Sequence, residues 1–191
     1  PRPETELLVE QALAMLPAAQ DGASLSALDL GVGSGAILIS LIKARGDLTG
    51  VGVDCSARAL EVARFNAAAL DAGERITLIE GDWGAGLEAH SFDLIVSNPP
   101  YVKADAIGLL QPEVARFEPR LALDGGADGL DAYRALLPDI ARLLKPSGAW
   151  AVEIGQGQAE AVWAYAAAAG LKPQSVREDL AGIARVVCGQ A

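Results

Sequence analysis

Residues 29–36 decide how this chain folds, and they read Asp29-Leu30-Gly31-Val32-Gly33-Ser34-Gly35-Ala36. They close the apolar run Ser26–Leu30, which predicts a strand, and open Ala36–Ala44, which has helical periodicity. Glycines at alternate positions let the backbone turn tightly and approach a ligand without a Cβ in the way. The segment therefore predicts a strand–turn–helix unit with a binding site at the turn. A purely structural turn and the relaxed dinucleotide pattern Gly31-x-Gly33-x-x-Ala36 remain open.

Strands and helices are predicted to alternate along the rest of the chain. Further short apolar runs are Gly50–Asp54, Ile76–Glu80, Phe92–Ser97 and Ala149–Ile154, and Ser175–Asp179 and Arg185–Cys188 are predicted as a final pair of strands. Helices are predicted over Ala57–Ala72 (with Ser56 as N-cap), Leu130–Leu144 and Gln158–Ala169. This order favours an α/β fold with a parallel, doubly wound sheet whose ligands bind at the carboxyl ends of strands. Residues 102–128 lack periodicity and are predicted to form a substrate-facing lid or loop.

Length and composition limit the classes of protein. With 191 residues, 51% of them hydrophobic, and a mean hydropathy of +0.28, the chain is predicted to form one domain over residues 1–191. No apolar run approaches the roughly 18 residues of a membrane helix, and no signal pattern opens the chain. Cys55 and Cys188 lack metal-ligand spacing, so we expect no metal and a reducing, cytoplasmic setting.

The formal charge of −10, from 25 acidic against 15 basic residues, argues against free nucleic acid as a partner. Nucleic-acid-binding proteins usually carry a basic face, because phosphate neutralisation supplies much of the affinity. Since no Lys/Arg cluster occurs, a protein or small-molecule substrate is favoured. His90 is the single histidine, and in the polar turn Glu88–Ser91 it is expected to be solvated.

Acidic and aromatic residues follow the next two predicted strands. Asp54 ends the second strand, where a carboxylate can accept both ribose hydroxyls of an adenosine-containing cofactor. Asp82 and Trp83 follow the third strand, where an acid and a flat ring can hold an adenine. A strand-end cap and a rim hydrophobe are the plain alternatives, and nicotinamide enzymes share the Asp54 pattern, but the acid–aromatic pair favours S-adenosylmethionine. The predicted cofactor contacts are Asp29, Gly31, Gly33, Gly35, Asp54, Asp82, Trp83 and Asn98, with Asp29 and the turn amides toward the methionine part.

The fourth predicted strand ends in Asn98-Pro99-Pro100-Tyr101. Two prolines fix φ and remove two backbone donors, which leaves a rigid corner with an amide side chain and bare carbonyl oxygens. The carboxamide oxygen of Asn98 and the carbonyl of Pro99 can each accept one N–H of a planar NH2 group and aim its nitrogen. Tyr101 can pack on that group. A proline-rich turn that only ends a strand is the alternative.

This corner resembles the catalytic motif of class I methyltransferases that act on planar NH2 groups, of adenine or of glutamine amides. The nitrogen in such groups is a poor nucleophile because its lone pair is delocalised, so orientation matters most. No histidine base is needed, because the nitrogen's proton is lost after its pKa collapses during methyl transfer. The resemblance implies Asn98, Pro99 and Tyr101 as catalytic residues, and these three with Pro100 as substrate-binding residues.

Four other segments are similar to the HemK/PrmC family, the peptide chain release factor glutamine methyltransferases. They are Pro1-Arg2-Pro3-Glu4-Thr5-Glu6, the block Glu118–Leu130, Glu153-Ile154-Gly155 with Gln158, and Asp179-Leu180-Ala181-Gly182. Adenine methyltransferases lack the Glu-Pro…Gly-Gly-x-Asp-Gly-Leu block. One departure is Ile183-Ala184, where the family often has Arg-Asp, and it puts local ion pairing in doubt.

The resemblance implies a class I S-adenosylmethionine-dependent methyltransferase fold: a seven-stranded, mostly parallel, doubly wound sheet with an antiparallel last strand. It implies methyl transfer from S-adenosylmethionine to the amide nitrogen (N5) of the glutamine in the Gly-Gly-Gln motif of class I release factors. Neither free nucleic acid nor a membrane is an expected partner. Family members carry a small helical substrate-docking domain ahead of the Pro1–Glu6 segment, and that domain is expected to be absent from this chain.

Other functions remain open at this point. They are methylation of a ribosomal-protein glutamine, methylation of an adenine amino group in nucleic acid, and a non-catalytic cofactor-binding scaffold. Individual roles are also open for Glu4, Thr5, Arg120 and Glu153, each of which suits a cap, a surface ion pair or a buried polar contact.

Overall fold

The computed structural model describes residues 3–18, 24–110 and 119–191. Its centre is a seven-stranded sheet in the order β3-β2-β1-β4-β5-β7-β6. The strands are β1 (Leu25–Leu30), β2 (Leu48–Asp54), β3 (Ile76–Glu80), β4 (Phe92–Ser97), β5 (Leu144–Glu153), β6 (Lys172–Glu178) and β7 (Ala184–Gln190). Neighbours among β1 to β5 run parallel, whereas β7 is antiparallel to both β5 and β6. The mostly parallel sheet with an antiparallel last strand is confirmed.

Helices cover both faces of this sheet, as a doubly wound fold requires. They are α1 (Pro3–Met15), α2 (Ala36–Ala44), α3 (Ala57–Ala69), α4 (Asp131–Leu143) and α5 (Ala159–Ala168), with short 3-10 turns at Gly73–Arg75, Ile107–Leu109 and Arg120–Ala122. One apolar cluster packs α1, α2 and α3 against the sheet, and a second packs α4 and α5 against it. Burial of both sheet faces explains why the central strands are continuous apolar runs rather than alternating ones.

Most element boundaries differ from the sequence-based predictions by one to three residues, and three differences have a clear physical reason. Helix α1 was not predicted, although it buries Leu8 and Ala12 completely. Strand β5 begins at Leu144 rather than Ala149, because a register shift accommodates Pro146 between the pairs Phe92↔Leu144 and Leu94↔Ala149. Helix α3 ends at Ala69 rather than Ala72, since Asp71 takes a left-handed conformation (φ 52°) that stops the helix.

The N-cap of α3 gives a direct test of this local structure. Ser56 has extended backbone and its hydroxyl accepts the Ala59 amide at 3.3 Å, so Ser56→Ala should lower the free energy of unfolding by about 1 kcal/mol. Urea denaturation measures the change. Ser147→Ala, at an exposed serine in the irregular part of β5, is the matched control and should stay within about 0.5 kcal/mol of the wild type.

In residues 3–18, 24–110 and 119–191, none of the helices combines the length and the apolar character that crossing a bilayer requires.

Candidate active site

The strand order reverses between β1 and β4, and the predicted site residues gather at that point. The chain passes from β1 outward to β2 and β3 and then returns to β4 on the other side of β1. The pairs Asp29↔Val96 and Leu30↔Ser97 place the glycine turn and Asn98 side by side where the two strands end. The Ser97 hydroxyl donates to the Leu30 carbonyl at 2.6 Å, which ties the two strand ends together. Open α/β sheets bind their ligands at such a crevice.

The glycine turn has the conformation that its sequence predicts. Gly31, Gly33 and Gly35 all have positive φ, at 75°, 53° and 82°. Residues that carry a Cβ rarely adopt this backbone conformation. The Gly31 amide donates to the Val53 carbonyl at 2.9 Å, which holds the turn against β2. A Cβ added at Gly33 would have its nearest neighbour 4.0 Å away. The turn therefore presents open space at its middle, where a ligand can approach the backbone.

Asp54 links the glycine turn to the start of α3. One carboxylate oxygen accepts the Gly33 amide and the other accepts the Ser56 amide, each at 2.9 Å. The Asp54 carbonyl accepts the Gly81 amide at 3.1 Å, so the end of β3 lies beside it. A half-buried carboxylate is thus held at the site with lone pairs to spare for further donors.

Asp82 and Trp83 follow β3 as predicted, but they differ in exposure. Asp82 is exposed, whereas Trp83 is half-buried and has a positive φ of 45°. The Trp83 ring carbon Cζ3 lies 3.7 Å from the position of a Cβ built on Gly31, so the ring lies beside the glycine turn. The structure therefore places both Asp54 and Trp83 next to the glycine turn, on one side of the crevice.

Asp29 is the electrostatic anomaly of the site. Its side chain is fully buried, and neither carboxylate oxygen has a hydrogen-bond partner among the described residues. Burial raises the pKa of Asp29 to about 7; the nearby Leu38 backbone amide partly offsets this rise and the negative charge of Asp54 adds to it. A buried carboxylate whose oxygens complete no hydrogen bond within the described residues is unfavourable by itself. The site is therefore built to gain from a ligand that brings positive charge or donors to Asp29.

The Asn98–Tyr101 corner lies on the other side of the crevice. Asn98 is half-buried and Pro99 is buried. The Tyr101 hydroxyl donates to Glu153 Oε1 at 3.1 Å. Its ring carbon Cδ2 lies 3.0 Å from the position of a Cβ built on Gly155. Tyr101 is thus held by β5 and the turn after it, and packing of its ring on a planar substrate group stays a prediction.

Glu153 and Thr5, whose roles the sequence left open, are buried polar residues that contact each other. Glu153 is 2% exposed and Thr5 is 8% exposed. The Thr5 hydroxyl donates to Glu153 Oε2 at 3.4 Å, so one buried carboxylate joins α1, β5 and Tyr101. The only sequence signal was that both residues fall in segments similar to the family. Their contact spans 148 positions, beyond any local pattern.

Tyr133 and Gln158 were given no functional role from the sequence. The single O–H of Tyr133 donates to the Glu153 carbonyl at 2.9 Å, with Gln158 Oε1 at 3.3 Å as a second acceptor that shares the same proton. Burial raises the pKa of the Tyr133 phenol far above its usual range, so it stays a donor. These two side chains form a second layer behind Tyr101.

The remaining candidate positions have contacts of their own outside the residues named so far. Arg120 forms an exposed ion pair with Asp124 at 3.1 Å. His90 is exposed as predicted and precedes β4, at the opposite end of that strand from Asn98. The departure at Ile183-Ala184 does not remove local pairing, because Arg185 and Asp179 form an ion pair at 2.8 Å. In the described parts of the chain, no group of three His, Cys, Asp or Glu side chains is arranged as metal ligands.

The stretch over residues 102–128 falls partly outside the described residues. Residues 111–118, including Glu118 of the family block, are not among them, and neither are Pro1 and Arg2. In the described part, the Val102 amide donates to the Leu123 carbonyl at 2.9 Å, and the Gly125 amide donates to the Val102 carbonyl at 2.8 Å. The family block is therefore paired with the segment that leaves the Asn98–Tyr101 corner. A lid function for it stays a prediction.

Comparison with known proteins defines the class. A protein-family model described as "Methyltransferase small domain" matches residues 4–116, which is more than half of the chain. The chain belongs to this methyltransferase family.

Relatives of known name are more specific. A release factor glutamine methyltransferase from Caulobacter vibrioides is 52% identical over 99% of this chain and 64% of its own length. Another protein of that name, from Rhodospirillum rubrum, is 50% identical over 95% of this chain and 54% of its own length. The sequence resemblance to release factor glutamine methyltransferases is thereby confirmed. The chain spans less than two thirds of the length of these relatives.

Solved structures show the same fold. The ribosomal protein L11 methylase from Lactobacillus delbrueckii subsp. bulgaricus has a TM-score of 0.68 at 18% identity, over 98% of this chain and 77% of that one. A TehB-like SAM-dependent methyltransferase from Corynebacterium glutamicum has a TM-score of 0.60 at 19% identity, over 99% of this chain and 88% of that one. The predicted class I S-adenosylmethionine-dependent methyltransferase fold is confirmed.

Proposed function

We propose that residues 1–191 form the catalytic domain of an S-adenosylmethionine-dependent protein glutamine methyltransferase. Its substrate is the amide nitrogen (N5) of the glutamine in the Gly-Gly-Gln motif of class I peptide chain release factors. The observation that carries the proposal is the adjacency of the glycine turn and the Asn98–Tyr101 corner, which the pairing of Leu30 with Ser97 brings about. The names of the relatives support the choice of release factors.

The residues of the crevice fit S-adenosylmethionine. Its ammonium group matches the buried Asp29 carboxylate, which has no hydrogen-bond partner among the described residues. Its ribose hydroxyls match Asp54, and its adenine matches the Trp83 ring and Asp82. The open space above Gly33 admits a ligand close to the backbone. When bound, this cofactor supplies an electrophilic methyl group.

The Asn98–Tyr101 corner orients the amide group of the substrate. The Asn98 carboxamide oxygen and the Pro99 carbonyl each accept one N–H of the substrate amide, which points its nitrogen at the crevice and stabilises the positive charge that develops there. Methylation raises the acidity of the nitrogen, so its proton leaves to solvent without a histidine. His90, before β4, is consistent with this, since it has no place in the crevice.

Two alternatives are weaker on specific grounds, and a third differs from the proposal only in its docking surface. An adenine in nucleic acid is disfavoured by the charge of −10. A non-catalytic scaffold has no use for the Asn98–Tyr101 corner. A ribosomal-protein glutamine would use the same site with a different docking surface. The release-factor substrate and a cytoplasmic location, with Cys55 and Cys188 as free thiols, are parts of the proposal.

Methyl transfer from labelled S-adenosylmethionine separates these functions. The purified chain should label a class I release factor and should not label the same factor with its Gly-Gly-Gln glutamine replaced by alanine. Ribosomal proteins and duplex DNA are the parallel substrates. Equal labelling of both release factors, or labelling of DNA instead, would contradict the proposal.

A further inference from the structure

The side-chain amide of Gln158 is fully engaged behind the acceptor corner. Its Nε2 donates to the Tyr101 carbonyl and to the Gly129 carbonyl, each at 3.1 Å. Its Oε1 accepts the Gly155 amide at 2.9 Å and the Tyr133 hydroxyl at 3.3 Å. A primary amide offers two donors and one oxygen with two lone pairs, so each is used. One side chain thereby joins the end of the corner, the Gly129 turn and the turn after β5.

Gly129 and Gly155, whose backbone packs against the Gln158 amide, leave no space for side chains. A Cβ at Gly129 would lie 2.6 Å from the Tyr101 carbonyl oxygen and 2.8 Å from Gln158 Nε2. A Cβ at Gly155 would lie 2.8 Å from Gln158 Oε1. Gly129 also has a positive φ of 79°. These contacts give a physical reason for the last part of the Gly-Gly-x-Asp-Gly-Leu block, which is that the backbone must reach Gln158 directly.

We infer that Gln158 is a positioning residue for methyl transfer. Its amide is taken up by protein groups, and it acts by holding the Tyr101 carbonyl so that Asn98 and Pro99 keep the orientation that the acceptor amide needs. A shift of the corner by about 1 Å can lower turnover about 100-fold. The expected fall in kcat rests on the proposed function, whereas the expected change in amide hydrogen exchange does not depend on it.

The requirement for an amide makes Gln158→Glu the sharpest variant. An ionised carboxylate has the same shape but no donors, so the oxygen that replaces Nε2 would face both the Tyr101 and the Gly129 carbonyl oxygens. A protonated carboxyl regains one donor. Activity of Gln158→Glu should therefore recover in part as the pH falls. Gln156→Glu is the matched control, because Gln156 is exposed two residues earlier on the same turn.

The experiment measures kcat and KM on a release factor, the S-adenosylmethionine Kd by calorimetry, and amide hydrogen exchange, at pH 6 and pH 8. For Gln158→Glu we expect kcat to fall about 100-fold at pH 8 and less at pH 6, with both KM and Kd within about threefold of the wild type. Hydrogen exchange of the backbone amides should rise at Val102 and Ala104, which follow the corner in the chain. It should stay unchanged in β1. Gln156→Glu should match the wild type throughout.

Three results would overturn the inference. They are a kcat of Gln158→Glu within about threefold of the wild type at both pH values, a loss confined to KM or Kd, or unchanged exchange at Val102 and Ala104. If Gln158→Glu does not fold, Gln158→Asn, which is one methylene too short, takes its place with the same criteria. If the wild type methylates no release factor, the proposed function fails, and the exchange comparison alone decides the role of Gln158.

Discussion

Replacement of Asn98 by alanine should lower kcat for release-factor methylation by about 1,000-fold and change the S-adenosylmethionine Kd by less than about threefold. The reason is that the Asn98 oxygen is assigned to an N–H of the acceptor amide, where it orients the nitrogen and stabilises developing charge. Steady-state kinetics on a release factor and calorimetry with the cofactor measure the two quantities. Because Asn98 is half-buried at a strand end rather than in the core, the variant should keep its fold.

The same variant tests the cofactor contact that was also assigned to Asn98. Leu30 pairs with Ser97, so Asn98 leaves the sheet next to Gly31. If cofactor affinity collapses while circular dichroism and the melting temperature stay unchanged, Asn98 serves mainly the cofactor. Asn98→Asp provides the comparison, since it keeps an oxygen acceptor and replaces the NH2 group with a second, negatively charged oxygen. A kcat of Asn98→Asp between those of the wild type and Asn98→Ala is the expected order.

The strand and loop parts of the site could be predicted from the sequence because they are local. Glycine alternation at Gly31–Gly35 and the double proline at Pro99-Pro100 restrict backbone geometry within a few residues, and both lie at strand ends as expected. The parallel sheet then brings them together by a general rule of α/β folds. Position along the chain was therefore enough to place them on one crevice.

The second layer of the site could not be predicted, because it depends on contacts between distant segments. Glu153 meets Thr5 across 148 positions and Tyr101 across 52. Gln158 meets Tyr101 across 57 positions. Helix α1 was missed for a related reason: its packing on the sheet is decided by tertiary burial of Leu8 rather than by a strong local signal. Residue type alone does not specify such partners.

Replacement of the buried Asp29 by asparagine should change the pH dependence of stability. Burial raises the folded-state pKa of Asp29 from 3.8 to about 7, so between these values the folded state holds a proton that the unfolded state has lost. Wild-type stability therefore falls as the pH rises through this window, and the full penalty is present above pH 7. An asparagine side chain cannot ionise, so the Asp29→Asn variant lacks this pH-dependent penalty.

The stability difference between Asp29→Asn and the wild type should grow by about 2 to 3 kcal/mol in favour of the variant from pH 5 to pH 8. Urea denaturation of both proteins across this range gives the difference, in which all other titrating groups cancel. Asp71→Asn is the control for the loss of one carboxylate, because Asp71 is exposed and its φ of 52° suits asparagine. A flat difference for Asp29→Asn would show that Asp29 does not retain its proton.

The same carboxyl should make cofactor affinity depend on pH, if Asp29 holds the ammonium group as proposed. Binding then requires the ionised carboxylate, so it releases a proton, and wild-type affinity should rise roughly tenfold from pH 5.5 to pH 7. Asp29→Asn should bind more weakly and with no such rise, which makes it more stable and less able to bind. Calorimetry in two buffers of different ionisation enthalpy counts the released proton. Equal wild-type affinity at both pH values, without proton release, would mean that the ammonium group binds elsewhere. Asp29 would then be a buried carboxyl at the end of β1 that lowers stability without contributing to binding.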